Sequence, residues 1–133
     1  MEFESPFTLV EILTGMMRYS TNFTANQLFL YIGARIFGPP ADFEKGSRAI
    51  NVFFKEIGIK DAVVLEGSGI CHGNRLSAED TVKILMWLAP YRDILPVKNS
   101  MLIKTGTLKE VKSAAGYFIS DKNGLVSFAV ILN

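Results

Sequence analysis

Residues 101–132, MLIKTGTLKEVKSAAGYFISDKNGLVSFAVIL, decide the fold class. Met101 to Thr105, Ala114 to Ser120 and Leu125 to Leu132 each read as a strand. Between the second and the third, Asn123-Gly124 supplies the positive φ angles that a tight hairpin needs. The last run is apolar at nearly every position. It is therefore expected to be covered on both faces or to lie in the middle of the sheet.

Upstream of this region the pattern changes from strands to helices. Ala62-Val63-Val64-Leu65 is a short apolar run that reads as extended, and a glycine-rich loop follows it from Glu66 to Asn74. Ser77, with Asp80 three residues on, starts a helix that ends near Ala89-Pro90. Asp42 caps an earlier helix with Ile50, Phe53, Phe54 and Ile57 on one face and Gly58 as its stop. Before it, Ala25, Leu28, Phe29, Ile32 and Ile36 recur at helical spacing after Asn22, and Gly38-Pro39-Pro40 closes that helix. Thr8-Leu9-Val10-Glu11 is a capping box for a first helix running to about Arg18. Helices first and strands last predict an α+β fold, with helices packed on an antiparallel sheet of about three strands. No repeat, low-complexity segment or linker interrupts the chain, so residues 1–133 are expected to form a single domain.

Composition narrows the function classes. The 133 residues are 49% hydrophobic and 20% charged, with a net charge of +1. Such a balance is ordinary for a globular domain and provides no field to steer nucleic acid or an anionic membrane. Cys71 is the only cysteine, so no internal disulfide can form. Met1 to Phe7 lacks the basic and apolar regions of a signal peptide, and no stretch approaches the ~20 apolar residues of a membrane span. Taken alone, these features read as a soluble cytosolic chain.

Two short motifs carry chemistry. Ser20-Thr21-Asn22 sits between two predicted helices, and Lys104-Thr105-Gly106-Thr107 ends a predicted strand. Either alone is weak, because Ser, Asn and Gly favour turns and caps for structural reasons. Together, in this order, they match two of the three motifs of the penicillin-binding acyl-serine transferases, Ser-x-x-Lys, Ser-x-Asn and Lys-Thr-Gly. More of the chain agrees: Arg18-Tyr19 leads into the first motif and Phe23, Ala25 and Leu28 follow it. Glu66-Gly67-Ser68-Gly69 and then Asn74-Arg75-Leu76-Ser77 resemble that group's Asp-Gly-Ser-Gly segment and the helix start beyond it. Lys104 to Leu108 continues to Gly116-Tyr117 as the group's sheet does. The pattern is similar to the class C low-molecular-weight penicillin-binding proteins, which are serine D-Ala-D-Ala carboxypeptidases and endopeptidases. It covers nearly all of this chain but only the carboxy-terminal part of such an enzyme.

The resemblance implies a serine-type peptidase that binds β-lactams and acts on peptidoglycan stem peptides in the periplasm or cell envelope, with no cofactor or metal. It assigns catalytic positions to Ser20, Asn22 and Lys104. Ser20 relays a proton to the leaving amine, Asn22 offers its amide to the substrate backbone, and Lys104 holds a positive charge and tunes the Ser20 hydroxyl. It assigns substrate binding to Thr105, Gly106 and Thr107. Thr105 meets the terminal carboxylate, Gly106 leaves room for substrate along the strand, and the Thr107 N–H gives half of an oxyanion hole.

This sequence departs from the pattern in several places. No Ser is followed three residues later by Lys, so the nucleophile motif is not among these residues and the chain alone is expected to be inactive. Thr21 replaces an expected Asp or Asn, Asn26 an acidic residue, and Ile70-Cys71-His72-Gly73 a Leu-Ser-Arg-like stretch. Pro96 to Lys104 is shorter than in many members. In the family the amino-terminal segment adds strands beside the carboxy-terminal ones and a central helix. Without it, a strand edge and apolar surface are expected to be exposed and to drive self-association. A second reading is a non-catalytic module that binds a peptide or partner, and a third is a folded remnant with no ligand.

Other candidates are weaker. Cys71-His72 are adjacent and have no further His or Cys to complete a cluster, so they read as loop residues. Glu66 to Gly69 is neither a Gly-x-Ser-x-Gly elbow nor a P-loop. Asn22-Phe23-Thr24 fits a glycosylation acceptor, which a bacterial reading makes irrelevant. Phe53, Phe54 and Trp87 read as core residues.

Overall fold

The computed structural model describes residues 4–133. In chain order it has α1 (Leu9–Tyr19), α2 (Asn22–Phe37), α3 (Phe43–Glu56) and α4 (Ala78–Leu88). A 3-10 turn (Ala89–Ile94) follows, and then strands β1 (Val97–Lys98), β2 (Met101–Leu108), β3 (Val111–Ser120) and β4 (Gly124–Leu132). The strands form one antiparallel sheet in the order β1-β2-β3-β4, so the fold is α+β.

The helix starts follow from their caps. Thr8 Oγ1 accepts the Glu11 N–H at 3.3 Å while the Glu11 carboxylate accepts the Thr8 N–H at 2.8 Å. Asp42 Oδ1 accepts the Lys45 N–H at 2.8 Å, and Ser77 Oγ accepts the Asp80 N–H at 3.0 Å. Each cap satisfies a donor that the first helical turn leaves orphaned. Between α2 and α3 the backbones meet directly. A Cβ on Gly33 would lie 2.5 Å from the Gly46 nitrogen, and one on Gly46 would strike the Phe29 ring at 2.3 Å. Phe29 of α2 is buried at this crossing, and Ala49 and Phe54 of α3 are also buried.

A second core joins the helices to the sheet. Leu85 of α4, Leu95 after the 3-10 turn and Tyr117 of β3 pack together, with Met17 of α1 and Leu102 of β2 against them. Tyr117 is 1% exposed, and its hydroxyl donates to the Leu85 carbonyl at 2.5 Å. Burying side chains of this size contributes roughly 1.5–3 kcal/mol each. Met17 lies three residues before Ser20, so this cluster also ties the end of α1 to the sheet.

The sheet has four strands, in keeping with the expected antiparallel sheet of about three. The extra one, β1, is only two residues long and turns into β2 through Asn99 (φ 51°) and Ser100 (φ 62°), the positive angles of a tight hairpin. The helix before it, α4, ends at Leu88, beside the expected stop at Ala89-Pro90, and the chain continues from there as the 3-10 turn. The last strand, expected to be covered on both faces or central, is an edge strand among the described residues. Leu125, Val130 and Leu132 are 40%, 48% and 62% exposed on it. Trp87, read as core, is 53% exposed, because the face of α4 that bears Leu85 is the one turned to the sheet. Ile32 and Ile36, placed on the apolar face of α2, are also exposed.

Candidate active-site cleft

Three walls meet at one cleft. The first is the elbow between α1 and α2. α1 ends at Tyr19 and α2 begins at Asn22, so two residues must turn the chain from one helix into the next. Ser20 does so in the left-handed region (φ 51°, ψ 50°), with its N–H bonded to the Met16 carbonyl. The serine is thereby held at the outside of the bend, exposed, with Asn22 opening the next helix.

The second wall is β2. In an antiparallel strand, alternate residues aim both N–H and C=O at alternate neighbours. Ile103 donates its N–H to the Pro96 carbonyl at 2.9 Å, away from β3. Thr105 and Thr107 share that parity. β1 pairs only with Met101 and Leu102, so the edge beyond Ile103 is open. The backbone groups of Thr105 and Thr107 therefore face the cleft. The Lys104 ammonium spans the gap between the walls, donating to Ser20 Oγ at 2.6 Å and to the Thr105 carbonyl at 2.7 Å. Burial pushes the Lys104 ammonium below its ordinary range. The ion pairs among the described residues are Lys45–Asp42 and Lys83 with Glu79 and Asp80, so no carboxylate holds the Lys104 charge in place. Gly106 keeps this edge low. A Cβ there would stand 2.7 Å from Ser113 Oγ on β3.

The third wall is the glycine-rich loop. Val63 and Arg75 close its base with a pair of backbone hydrogen bonds at 2.8 and 2.7 Å. Inside it, Glu66 is the hub. Its Oε2 accepts the Ser68 hydroxyl and, at 2.8 Å, the Ser68 N–H. Its Oε1 accepts from the Gly69 N–H at 2.7 Å, the Asn74 amide at 2.8 Å and the Cys71 N–H at 3.3 Å. Burial works against the Glu66 charge, but the hydrogen bonds from Ser68, Cys71 and Gly69 outweigh it and hold the carboxyl at about 2. The loop is fastened to α2 at Gly67. Its N–H donates to Asn26 Oδ1 at 2.7 Å, and a Cβ would meet the Ala25 carbonyl at 2.6 Å. Asn26, a departure from the acidic residue expected there, still provides the acceptor oxygen.

These walls enclose about 290 Å³. Ser20, Asn22, Lys104, Thr105, Gly106 and Thr107, the six residues singled out from two motifs more than eighty positions apart, all line it. A wider cleft of about 810 Å³ continues past Gly106, between the loop and the sheet face bearing Ala115 and Ala129. Motif reading missed Glu66 as the organiser of the loop, together with the contributions of Ser68 and Ser113 to the wall. The signal for Glu66 was its place at the head of the Glu66-Gly67-Ser68-Gly69 segment, which resembles the Asp-Gly-Ser-Gly segment of the family. His72 and Cys71 line the wider cleft, away from Ser20. Among the described residues no three His, Cys, Asp or Glu side chains come together to hold a metal ion, and no helix is long and apolar enough to cross a membrane. The narrow cleft thus offers hydroxyls, an amide, open backbone N–H groups and one ammonium. That set suits an extended peptide ending in a carboxylate.

Residues 4–97 match the D-Ala-D-Ala carboxypeptidase 3 (S13) family. The chain is similar to the D-alanyl-D-alanine carboxypeptidase DacB of Haemophilus influenzae, with 24% identity over 94% of this chain and 32% of that protein. It therefore spans about a third of the length of that relative. The crystal structure of penicillin binding protein 4 from Haemophilus influenzae, complexed with a β-lactam, superposes with a TM-score of 0.84 at 23% identity, covering 92% of this chain and 34% of that one. A predatory endopeptidase of Bdellovibrio bacteriovorus, solved with an immunity protein, gives a TM-score of 0.74 at 26% identity, over 93% of this chain and 36% of its own.

Proposed function

Because the chain belongs to the D-Ala-D-Ala carboxypeptidase 3 (S13) family, we propose that its cleft is the substrate-facing part of a serine D-Ala-D-Ala carboxypeptidase acting on peptidoglycan stem peptides. The observation that carries this reading is the 2.6 Å hydrogen bond between Lys104 and Ser20, which unites the two motifs in one cleft. The substrate lies as an added strand along the open edge of β2, hydrogen-bonded to the backbone of Thr105 and Thr107. The Thr105 hydroxyl and the Lys104 ammonium receive the terminal carboxylate, and Asn22 holds the substrate amide across the gap. The Thr107 N–H stabilises the oxyanion as the acyl-enzyme forms, an effect worth ~3 kcal/mol for one such donor. Ser20 passes a proton to the leaving D-alanine, with Lys104 setting the polarity of its hydroxyl. β-Lactams occupy the same cleft. The setting is the cell envelope, where the substrate is found.

The sequence contains no Ser-x-x-Lys. Full turnover on this reading requires a segment that carries it. The same fact favours a second reading, in which the cleft of this chain binds D-Ala-D-Ala peptides without turning them over. Titration with a diacetylated Lys-D-Ala-D-Ala peptide, followed by amide NMR, tests the cleft itself. Saturable shifts confined to Ser20, Asn22 and Thr105 to Thr107 are expected, weakened about tenfold or more by Lys104→Met. Absence of shifts at millimolar peptide would overturn both readings.

A further inference from the structure

We propose that Trp87 and Tyr91 form an aromatic ledge, separate from the cleft, that binds the glycan strand of peptidoglycan, a β-linked polymer of N-acetylated amino sugars. The choice of this polymer rests on the proposed function; the ledge itself does not.

The ledge stands where the end of α4 meets the end of α3. Phe53 of α3 packs against Trp87 edge to face, with ring centroids 4.8 Å apart and planes at 73°. Phe53 in turn lies 6.1 Å from the ring of Phe54, which is buried. The indole is therefore backed by the core while remaining 53% exposed. Tyr91, in the 3-10 turn, continues the surface. Its ring centroid is 6.3 Å from that of Trp87, with the planes at 41°, and it is 62% exposed. Two neighbouring rings offer apolar faces to the C–H faces of pyranose sugars. Their polar tips are open to sugar hydroxyl and acetamido groups. The side-chain hydrogen bonds of this region run from Lys83 to the Gly58 carbonyl and from Arg92 to the Ala89 carbonyl. Among the described residues none engages the Trp87 indole N–H or the Tyr91 hydroxyl.

Charge and area select the occupant. Lys83, one turn before Trp87, is the only cation of α4, and Glu79 at 3.1 Å and Asp80 at 3.5 Å neutralise it. The other charges near these rings in sequence come as neighbours of opposite sign, Lys55-Glu56 and Arg92-Asp93. A nucleic acid or an anionic lipid needs a cationic cluster, whereas a neutral sugar does not. Aromatic side chains of ~150–250 Å² each, exposed to these extents, present roughly 170–290 Å² together. That is far short of the ~800 Å² each partner buries in a stable protein pair. It suits one or two sugar rings. Position agrees. Ser77, the N-cap of α4, lines the wider cleft. A rise of ~1.5 Å per residue puts Trp87 about 15 Å farther along the helix, a distance that ~4–5 extended residues span. One polymer can thus place its peptide branch in the cleft and its sugars on the ledge.

Trp87 is the only tryptophan, so its fluorescence reports on the ledge directly. The test is titration of the chain with chitotetraose, a β-1,4-linked oligomer of N-acetylglucosamine. A saturable blue shift of the tryptophan emission is expected. Tyr91→Ala keeps the reporter and changes an exposed position. It should weaken the sugar about fivefold or more, while leaving the circular dichroism and the NMR shifts induced by the D-Ala-D-Ala peptide as they are. No change in emission at about 10 mM sugar, or a change that Tyr91→Ala does not weaken, would overturn the proposal. So would a blue shift that appears on concentrating the chain without sugar, which would make the ledge a contact between copies. If the peptide binds and the sugar does not, the ledge alone falls. If the sugar binds and the peptide does not, the ledge stands and the cleft reading falls.

Discussion

Glu66→Gln should cost stability at neutral pH and almost none in strong acid. The carboxylate keeps five donors in order: two from Ser68 and one each from Gly69, Cys71 and Asn74. An amide of the same shape has one oxygen where the carboxylate has two, so at least two of those donors would face an NH₂ group. The depressed pKa sets the ceiling. A fall from 4.5 to about 2 is worth ~3.4 kcal/mol, at 1.36 kcal/mol for each pKa unit. Because the group is partly open to solvent, screening reduces this to about 1–2 kcal/mol. The carboxyl is more acidic in the folded state, so its contribution is fully present above 4.5 and disappears as pH falls through about 2. Urea denaturation of the wild type and the variant at pH 7 and at pH 2.5 measures the difference. A gap of about 1–2 kcal/mol at pH 7, mostly gone at pH 2.5, is expected. A gap that stays constant across this range, or is below ~0.5 kcal/mol at pH 7, would show that the loop does not depend on this charge.

Three further outcomes are expected. Tyr117→Phe removes the hydroxyl bonded to the Leu85 carbonyl in the core and should lower the urea-unfolding free energy by ~1–2 kcal/mol with little change in slope. A loss under ~0.3 kcal/mol would mean the bond is incidental. Gly116→Ala puts a Cβ 1.9 Å from the Leu102 carbonyl, so the β2–β3 pairing must shift; a loss of ~3 kcal/mol or more, or failure to fold, is expected by circular dichroism, and near-native melting would contradict the close approach. The outer edge of β4 has no charge and no proline from Gly124 to Leu132, and we propose that it pairs with a second copy. Sedimentation should show self-association that Leu125→Lys with Leu132→Lys suppresses, and a wild-type chain monomeric at high concentration would dispose of the idea.

The parts of this structure that sequence reading reached are those set by short-range chemistry. Thr8 with Glu11, Asp42, and Ser77 with Asp80 announce helix starts because their side chains serve backbone donors within the same turn. Asn123-Gly124 announces a hairpin for an equally local reason. The parts it did not reach depend on distant partners. β1 is two residues of ordinary composition that pair only because Asn99 and Ser100 accept positive φ. The apolar composition of β4 suggested a central strand, yet its position follows from which other strands are present to pair with it. Trp87 lies on a helix whose core face is chosen by the packing of Leu85 against Tyr117. The motif residues were legible as residue types in order. That they line one cleft depends on the α1–α2 elbow and on Met17 anchoring α1 to the core. Glu66 was legible as the head of the Glu66-Gly67-Ser68-Gly69 segment but not as its hub, because a carboxylate in a polar loop usually points to water. Here five donors turn it inward.

The Lys104–Ser20 hydrogen bond joins positions 84 residues apart, the longest sequence span of any side-chain hydrogen bond described. The α2–α3 pair and the β2–β3–β4 meander are each built from neighbouring segments, and such local units form early. The elbow and the strand are therefore expected to come together late, with binding competence marking completion of folding. In a refolding experiment, recovery of peptide binding should trail recovery of helical and sheet signal. A ligand present throughout should leave the rate of folding unchanged while slowing unfolding, because it engages a contact that forms after the main barrier.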